Sequence, residues 1–213
     1  MSQHSGIPPL TIQRLPLYLR CLIRLQSQRV DVVSSERIAE LAGTNAAQVR
    51  KDFSYLGEFG VRGLGYEVDS LVVHLSRWLG LQRTRNVAII GYGRLGAALQ
   101  GYGGLQDRGF LVRAVFDIDA DKVGMSVPGG ITVESMNRFA EVAKENDIEL
   151  AIVTVPASAA QGIAEKVVAA GVKGILNFAP QRLELPHDVA VRQADLAAEL
   201  QILSYHLRED FGS

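Results

Sequence analysis

A single cysteine, one tryptophan and four histidines are all that 213 residues contain of those types. One cysteine excludes an internal disulfide and any cysteine-based metal cluster. Cys21 lies beside Leu22 in an apolar helical stretch and reads as a core residue. His4, His74, His187 and His206 have no acid–base or metal-ligand spacing, and His187, after Pro186, reads as a solvated loop residue. No apolar run approaches the ~18 residues of a membrane-spanning helix, and no charged-then-apolar leader opens the chain. The expectation is a cytoplasmic protein with no membrane partner and no metal. The 47% hydrophobic content is enough for packed cores, and the length fits one large domain or two small ones.

The net charge of −1 conceals a split. Residues 1–85 hold 11 basic against 7 acidic side chains, and residues 86–213 hold 11 against 16. A basic half hints at a nucleic-acid partner, although an excess of this size also suits an ordinary solvated surface. The polar stretch Leu81-Gln82-Arg83-Thr84-Arg85 marks the boundary.

The most informative stretch is NVAIIGYGRLGAALQGYGGLQDRGFLVRAVFDID, residues 86–119. An apolar run stops at Gly91-Tyr92-Gly93-Arg94-Leu95-Gly96, and a second, residues 111–116, stops at Asp117. Strand, glycine turn, helix, strand and acid is the order a dinucleotide needs. Gly91 makes the sharp turn, Gly93 lets the backbone approach the pyrophosphate, and Gly96 lets the helix lie close to the strand. The helix N-terminus then faces the phosphates. Asp117 is placed to accept hydrogen bonds from the adenine ribose hydroxyls. A 2′-phosphate would meet Asp117 and Asp119 with no arginine beside them, so the expected cofactor is NAD(H), not NADP(H).

The basic half reads as three helices and a hairpin. The first helix is expected over residues 17–28, with Pro16 at its first turn and Leu17, Leu22 and Leu25 as its stripe. Ser35 is the expected cap of a second helix, residues 36–42, stopped by Gly43. Asn45 to Gln48 has capping-box spacing and opens a third helix reaching Leu56. At about 100° per residue, Val49, Phe53 and Leu56 share one face, while Ala47, Arg50, Lys51 and Ser54 point the other way. A short basic face after a glycine turn suits a recognition helix in the major groove; a solvated helix surface is the bland alternative. Residues 59–68 look like two short strands around a glycine-rich turn, a wing with Arg62 at its tip. Residues 69–79 read as a closing helix with Leu71, Leu75, Trp78 and Leu79 inward. The candidate DNA-contacting residues are Ala47, Gln48, Arg50, Lys51, Ser54, Tyr55 and Arg62.

Further along, residues 150–155 form a strand ending in Thr154-Val155-Pro156, and residues 172–176 form another ending at Asn177-Phe178. Such strand ends form the ligand crevice of an open α/β sheet. Residues 195–207 read as a last amphipathic helix with Leu196, Leu200, Leu203 and Leu207 at near-heptad spacing; docking on its own sheet is the plain alternative.

Taken together, these stretches resemble the Rex family of redox-sensing transcriptional repressors, over about residues 17–207. The wording is most specific in QVRKDFSYLGEFGVRGLGY, GYGRLGAAL, FDIDADKVG, TVPASAAQGIAEKVVAAGVKGILNFAP and QADLAAELQILSYHL. The resemblance implies a homodimer that binds a pseudo-palindromic operator and releases it when NADH binds. It implies a winged helix-turn-helix domain (residues 1–85), a Rossmann-type doubly wound parallel sheet (86–194) and a C-terminal helix exchanged between subunits (195–213). It places Thr154, Val155, Pro156, Asn177 and Phe178 around the nicotinamide half. It also matches Arg20, Tyr102 and Asp195 to a cross-subunit switch, with Leu196 where some relatives have a nicotinamide-shielding phenylalanine.

A dehydrogenase with an N-terminal helical extension is the alternative of another class. It would need an acid or base beside the nicotinamide and a separate substrate domain, for which the residues after Val155 leave little room. A nucleotide-binding docking protein is a third reading, but it would not need Arg50 and Lys51 on an outward helix face.

Overall fold

In a computed structural model that describes residues 6–57 and 65–207, the chain forms two units, Met1–Arg83 and Thr84–Ser213. The first unit opens with α1 (Pro9–Ser27). Pro8 and Pro9 start this helix two turns ahead of the expected point, and Pro16 lies inside it. A proline there forfeits one backbone hydrogen bond. The burial of Thr11, Leu15, Tyr18, Leu19 and Leu22 on either side carries the helix through. Leu17 is 37% exposed and does not belong to the inner stripe.

A two-residue strand β1 (Val32–Val33) leads into α2 (Ser35–Ala42). The cap is Ser34, one residue before the expected Ser35: its side chain accepts from the Arg37 N–H, and Ser35 is buried as the first helical residue. Gly43 ends α2 at φ +67°, a left-handed conformation that favours glycine. Asn45 caps α3 (Ala46–Ser54) by accepting from the Gln48 N–H at 2.8 Å. Strand β2 (Tyr66–Glu67) pairs antiparallel with β1, so the hairpin's outgoing arm joins a strand that the sequence did not reveal. Gly65 beside it has φ +92°, and a Cβ there would lie 2.6 Å from the Val33 carbonyl oxygen. The rest of the expected wing, including Arg62, lies outside the described residues. Helix α4 (Val68–Trp78) closes the unit with Val68, Leu71 and Leu75 buried; Trp78, expected inward, is 41% exposed on the last turn. Phe53 anchors α3 in this core by edge-on contacts with Tyr18 and Tyr66.

The second unit is a doubly wound sheet. Its elements are β3 (Arg85–Ile90), α5 (Arg94–Gln100), α6 (Gly103–Gln106), β4 (Phe110–Asp117), β5 (Ser126–Val127), β6 (Ile131–Ser135), α7 (Phe139–Glu145), β7 (Leu150–Val153), α8 (Ala157–Ala169), β8 (Gly174–Asn177), β9 (Ala190–Gln193) and α9 (Leu196–His206). The strand order is β5-β6-β4-β3-β7-β8-β9, parallel except for β5. Alternation along the central strands sends Ala88, Ile90, Phe116 and Val153 to the face covered by α7 and α8, and Val87, Ile89 and Ile152 to the other. The order reverses between β3 and β7, where an open α/β sheet forms its crevice. Helix α9 does not dock on this sheet: Leu196, Leu200, Leu203 and Leu207 are 65, 64, 57 and 81% exposed. Among the described residues no helix is long and apolar enough to cross a membrane.

Candidate cofactor pocket and nucleic-acid interface

Each of the three glycines after β3 meets a different environment. Gly91 turns at φ +96°, and a Cβ on it would sit 2.8 Å from the Thr154 carbonyl oxygen. A Cβ on Gly96 would collide with the Gly91 carbonyl oxygen at 2.0 Å. At Gly93, by contrast, nothing lies within 4 Å of a Cβ, and φ is an ordinary −83°. The fold therefore requires glycine at 91 and 96, whereas at 93 it only leaves space. Thr154 fixes the turn by donating its hydroxyl to the Gly91 and Ile90 carbonyls at 2.8 and 3.0 Å.

This turn borders a cavity of about 560 Å³ at the switch point. Of the residues expected at the cofactor, Gly91, Gly93, Leu95, Asp117, Thr154, Val155, Pro156 and Phe178 line it. Tyr92, Arg94, Gly96 and Asn177 do not. Tyr92 contributes its backbone N–H to Asp117, Arg94 faces solvent, and Gly96 is buried against the turn. Asn177 is fully buried: its amide nitrogen donates to the Gln181 carbonyl and to Gln193 Oε1, both at 2.8 Å, and its oxygen accepts from the Ala179 N–H. That amide ties the 177–181 loop to β9.

Asp117 is only 6% exposed, and both its oxygens are engaged. Oδ1 accepts from the Ile118 and Asp119 N–H groups, and Oδ2 from the Tyr92 N–H and from Lys122 Nζ at 3.1 Å. Burial pushes this carboxyl up, but the Asp119 N–H, Lys122 and the Tyr92 N–H outweigh it and hold it below the usual carboxylate range. Lys122 also reaches Asp119 at 3.4 Å. Two acids with no arginine beside them therefore share a cation that was not expected from the sequence, Lys122. The signal was present in the Asp117-x-Asp119-x-x-Lys122 spacing, which lets one ammonium bridge both carboxylates after a tight turn. Ile118, Met136 and Ile163, also unforeseen, supply apolar wall.

On α3, Ala47, Arg50, Lys51, Ser54 and Tyr55 are exposed, and Gln48 is half-buried. Arg50 donates to Ser35 Oγ at 2.8 Å and to Glu36 Oε1 at 3.0 Å, which draws its guanidinium toward the start of α2. Asp52, which follows Lys51 on α3, is wholly buried. It accepts from Thr11, from Arg14 in a two-pronged pair at 2.6 and 2.8 Å, from Tyr18 and from Gln48. Burial raises its pKa, but the hydrogen bonds from Arg14, Tyr18, Thr11 and Gln48 prevail and bring it to about 2. Tyr18 is pushed up by burial and by the same carboxylate. A charge-assisted, bidentate pair of this kind bolts α3 to α1.

Each expected switch residue has a setting within its own unit. Arg20 is exposed on α1 and Tyr102 is half-exposed before α6. Asp195 caps α9 by accepting from the Ala197 and Ala198 N–H groups at 3.0 Å, and Leu196 follows it in the open. Among the described residues no cluster of His, Cys, Asp or Glu has the arrangement of a metal site.

Comparison with known proteins places both units. Residues 6–54 match the family described as "Putative DNA-binding protein N-terminus", and residues 82–181 match the family described as "CoA binding domain". The redox-sensing transcriptional repressor Rex of Streptomyces griseus is 48% identical over 99% of this chain and 83% of its own length. Its counterpart in Syntrophobacter fumaroxidans is 44% identical over 98% of this chain and 99% of its own. The crystal structure of RSP, a Rex-family repressor, in complex with NAD⁺ and operator DNA superposes with a TM-score of 0.89 at 35% identity, over 94% of this chain and 92% of that one. The same protein in complex with NADH gives a TM-score of 0.85. With identity at this level along almost its whole length, the chain belongs to the Rex family of redox-sensing transcriptional repressors.

Proposed function

We propose that this chain is a cytoplasmic, non-enzymatic repressor that binds operator DNA as a homodimer and releases it when NADH binds. The observation that carries the cofactor half is the space over Gly93. Glycine suits Gly93 as the cap of α5, and no protein atom lies within 4 Å of a Cβ there, which leaves the backbone open to the close approach of a ligand such as a pyrophosphate. Asp117 and Asp119 flank the far end of the cavity, and Lys122 neutralises one charge of the two. The extra phosphate on the adenosine ribose of NADPH, or of coenzyme A, would meet a net negative site, which favours NAD(H). Because Asp117 is saturated by protein donors, its part is to hold the turn and the local charge, and the ribose hydroxyls find Asp119 or Lys122 as ready partners.

NADH and NAD⁺ differ in ring charge and pucker. The wall offered by Val155, Pro156 and Phe178 carries no charge. An apolar wall penalises the cationic ring through desolvation and so favours the neutral one. Discrimination of this sort is what a redox sensor requires, because a ligand that binds two conformations equally shifts neither. A dehydrogenase is disfavoured because, among the described residues, no histidine or tyrosine side chain lines this cavity and its lysine is held in an ion pair. The exposed leucines of α9 support the homodimer. The sheet face away from α7 and α8 also leaves an apolar groove along Leu105, Phe110, Leu150 and Leu176, and a second copy covers such surfaces.

The test is a titration of NADH, NAD⁺, NADPH and coenzyme A against the protein bound to a labelled operator duplex. Release by NADH at the lowest concentration, with NADPH and coenzyme A far weaker, is expected. Release by coenzyme A in preference to NADH would overturn the cofactor assignment.

A further inference from the structure

Gln48 occupies the third position of α3, where a capping box would have it reach back to the Asn45 N–H. Only half of that box is made. Asn45 receives the Gln48 backbone N–H, but the Gln48 side chain turns the other way and donates Nε2 to Asp52 Oδ1 at 2.9 Å. Asp52 is buried, is held by Arg14, Tyr18 and Thr11, and remains ionised far below neutrality. An ionised carboxylate only accepts, so the end of the amide facing it has to be the nitrogen. The Gln48 amide is thus fixed in one of its two flips. Its Oε1 and its second N–H are left without a partner among the described residues.

Those two atoms form a donor–acceptor pair of fixed polarity on the first turn of an exposed basic helix. The first turn of a recognition helix is the part that meets base edges. A glutamine amide complements adenine there, accepting from N6–H and donating to N7. We propose that Gln48 reads an adenine edge in each operator half-site, and that Asp52, which does not touch DNA, is the positioning residue that presents the amide for it. Fixing the flip before DNA arrives removes the rotamer cost that a free glutamine would meet on binding. It also turns a side chain of ambiguous polarity into one that rejects the reverse pattern.

This inference rests on the operator-binding reading, and one experiment separates the two. Random-sequence duplexes are selected by the full-length protein, and the bound fraction is sequenced for the wild type, Gln48→Ala and Asp52→Asn. The wild type should enrich one adenine position per half-site that Gln48→Ala loses, a drop of roughly 5- to 150-fold in preference at that position alone. Asp52→Asn should weaken the same position and leave the others intact, whereas a purely structural Asp52 would lower the melting temperature without changing the profile. Replacing that adenine by purine, which lacks the N6 amine, should cost the wild type and not Gln48→Ala. An unchanged profile in Gln48→Ala overturns the inference and spares the operator-binding reading; a wild type that enriches nothing overturns that reading itself. Should Asp52→Asn not fold, nitrogen relaxation of the Gln48 side-chain amide in the free wild-type protein decides the positioning role. A rigid amide supports it, and a freely reorienting one refutes it.

Discussion

Substituting alanine separately at Gly93 and Gly96 separates fold from function within one turn. At Gly96 the added methyl would lie 2.0 Å from the Gly91 carbonyl oxygen, well inside van der Waals contact, and both partners are backbone. Either α5 moves off β3 or the glycine turn opens. Overpacking of this kind costs about 1–3 kcal/mol, and more where backbone cannot give. For a chain of this size that is a fall of about 2–12 °C in melting temperature. At Gly93 the methyl meets no protein atom within 4 Å, and φ of −83° suits alanine. Gly93 caps α5, where alanine is a poorer cap than glycine by roughly 0.5–1 kcal/mol, so the melting temperature should fall only slightly. The same methyl would stand where the pyrophosphate is expected, and losing one close approach is worth at least ~1.4 kcal/mol, about tenfold in affinity. Thermal melts and NADH fluorescence titrations on the two variants should therefore give opposite profiles. Gly93→Ala melts only slightly below the wild type and binds NADH at least about tenfold more weakly; Gly96→Ala melts early and loses more stability. A Gly93→Ala protein with wild-type NADH affinity would refute the assignment of that space to the cofactor.

The buried carboxylate of α3 makes stability depend on acid. The Asp52 carboxyl titrates at about 2 in the folded chain against an ordinary 3.8, so its contribution is whole above about pH 4 and is lost as the pH falls toward 2. A shift of that size corresponds to about 2 kcal/mol. Urea melts of the wild type and Asp52→Asn should converge as the pH drops from 5 to 2, and parallel curves would contradict the network. On the recognition face, Arg50→Ala should weaken operator binding by ~1–3 kcal/mol and relax sequence preference, whereas Lys51→Ala should lower affinity more evenly across sequences. Fluorescence anisotropy on operator and scrambled duplexes distinguishes the two, and no effect of either would remove α3 from the groove. Deleting residues 194–213 should abolish the dimer in sedimentation, because the α9 leucines lose their site. Asp195→Ala should keep dimer and NADH binding yet blunt NADH-driven release of DNA; normal release would mean that coupling runs elsewhere.

Elements whose signal is local were readable from the sequence alone. The glycine turn, the strands on either side of it, the Asn45 cap and the inward Val49-Phe53-Leu56 face all follow from residues within one or two turns of each other. The exposed leucines of α9 were visible as a stripe, but a stripe does not say what covers it. Where the reading failed, the deciding partner was distant. The start of α1 moved because Pro8 and Pro9 offered a better first turn than Pro16, and the core around Tyr18 outweighed one missing hydrogen bond. Strand β1 escaped notice because two residues carry no alternation; its partners Tyr66 and Glu67 lie far along the chain.

Buried polar residues were the hardest to place, and for a single physical reason. Periodicity registers a side chain's polarity, so it gave Asn177 to the ligand and found no inward role for Asp52. Each is instead 0% exposed, because its hydrogen-bonding capacity is filled from within the fold. The donors to Asp52 include Thr11, Arg14 and Tyr18, which precede it by 41, 38 and 34 residues. Asn177 depends on Gln193, 16 residues away. A buried carboxylate is tolerable only when its partners arrive together, since removing one leaves a charge without compensation. The polar residues that a reading from one end of the chain most readily gives to the ligand are therefore, in this protein, the ones that hold the ligand-facing residues in place.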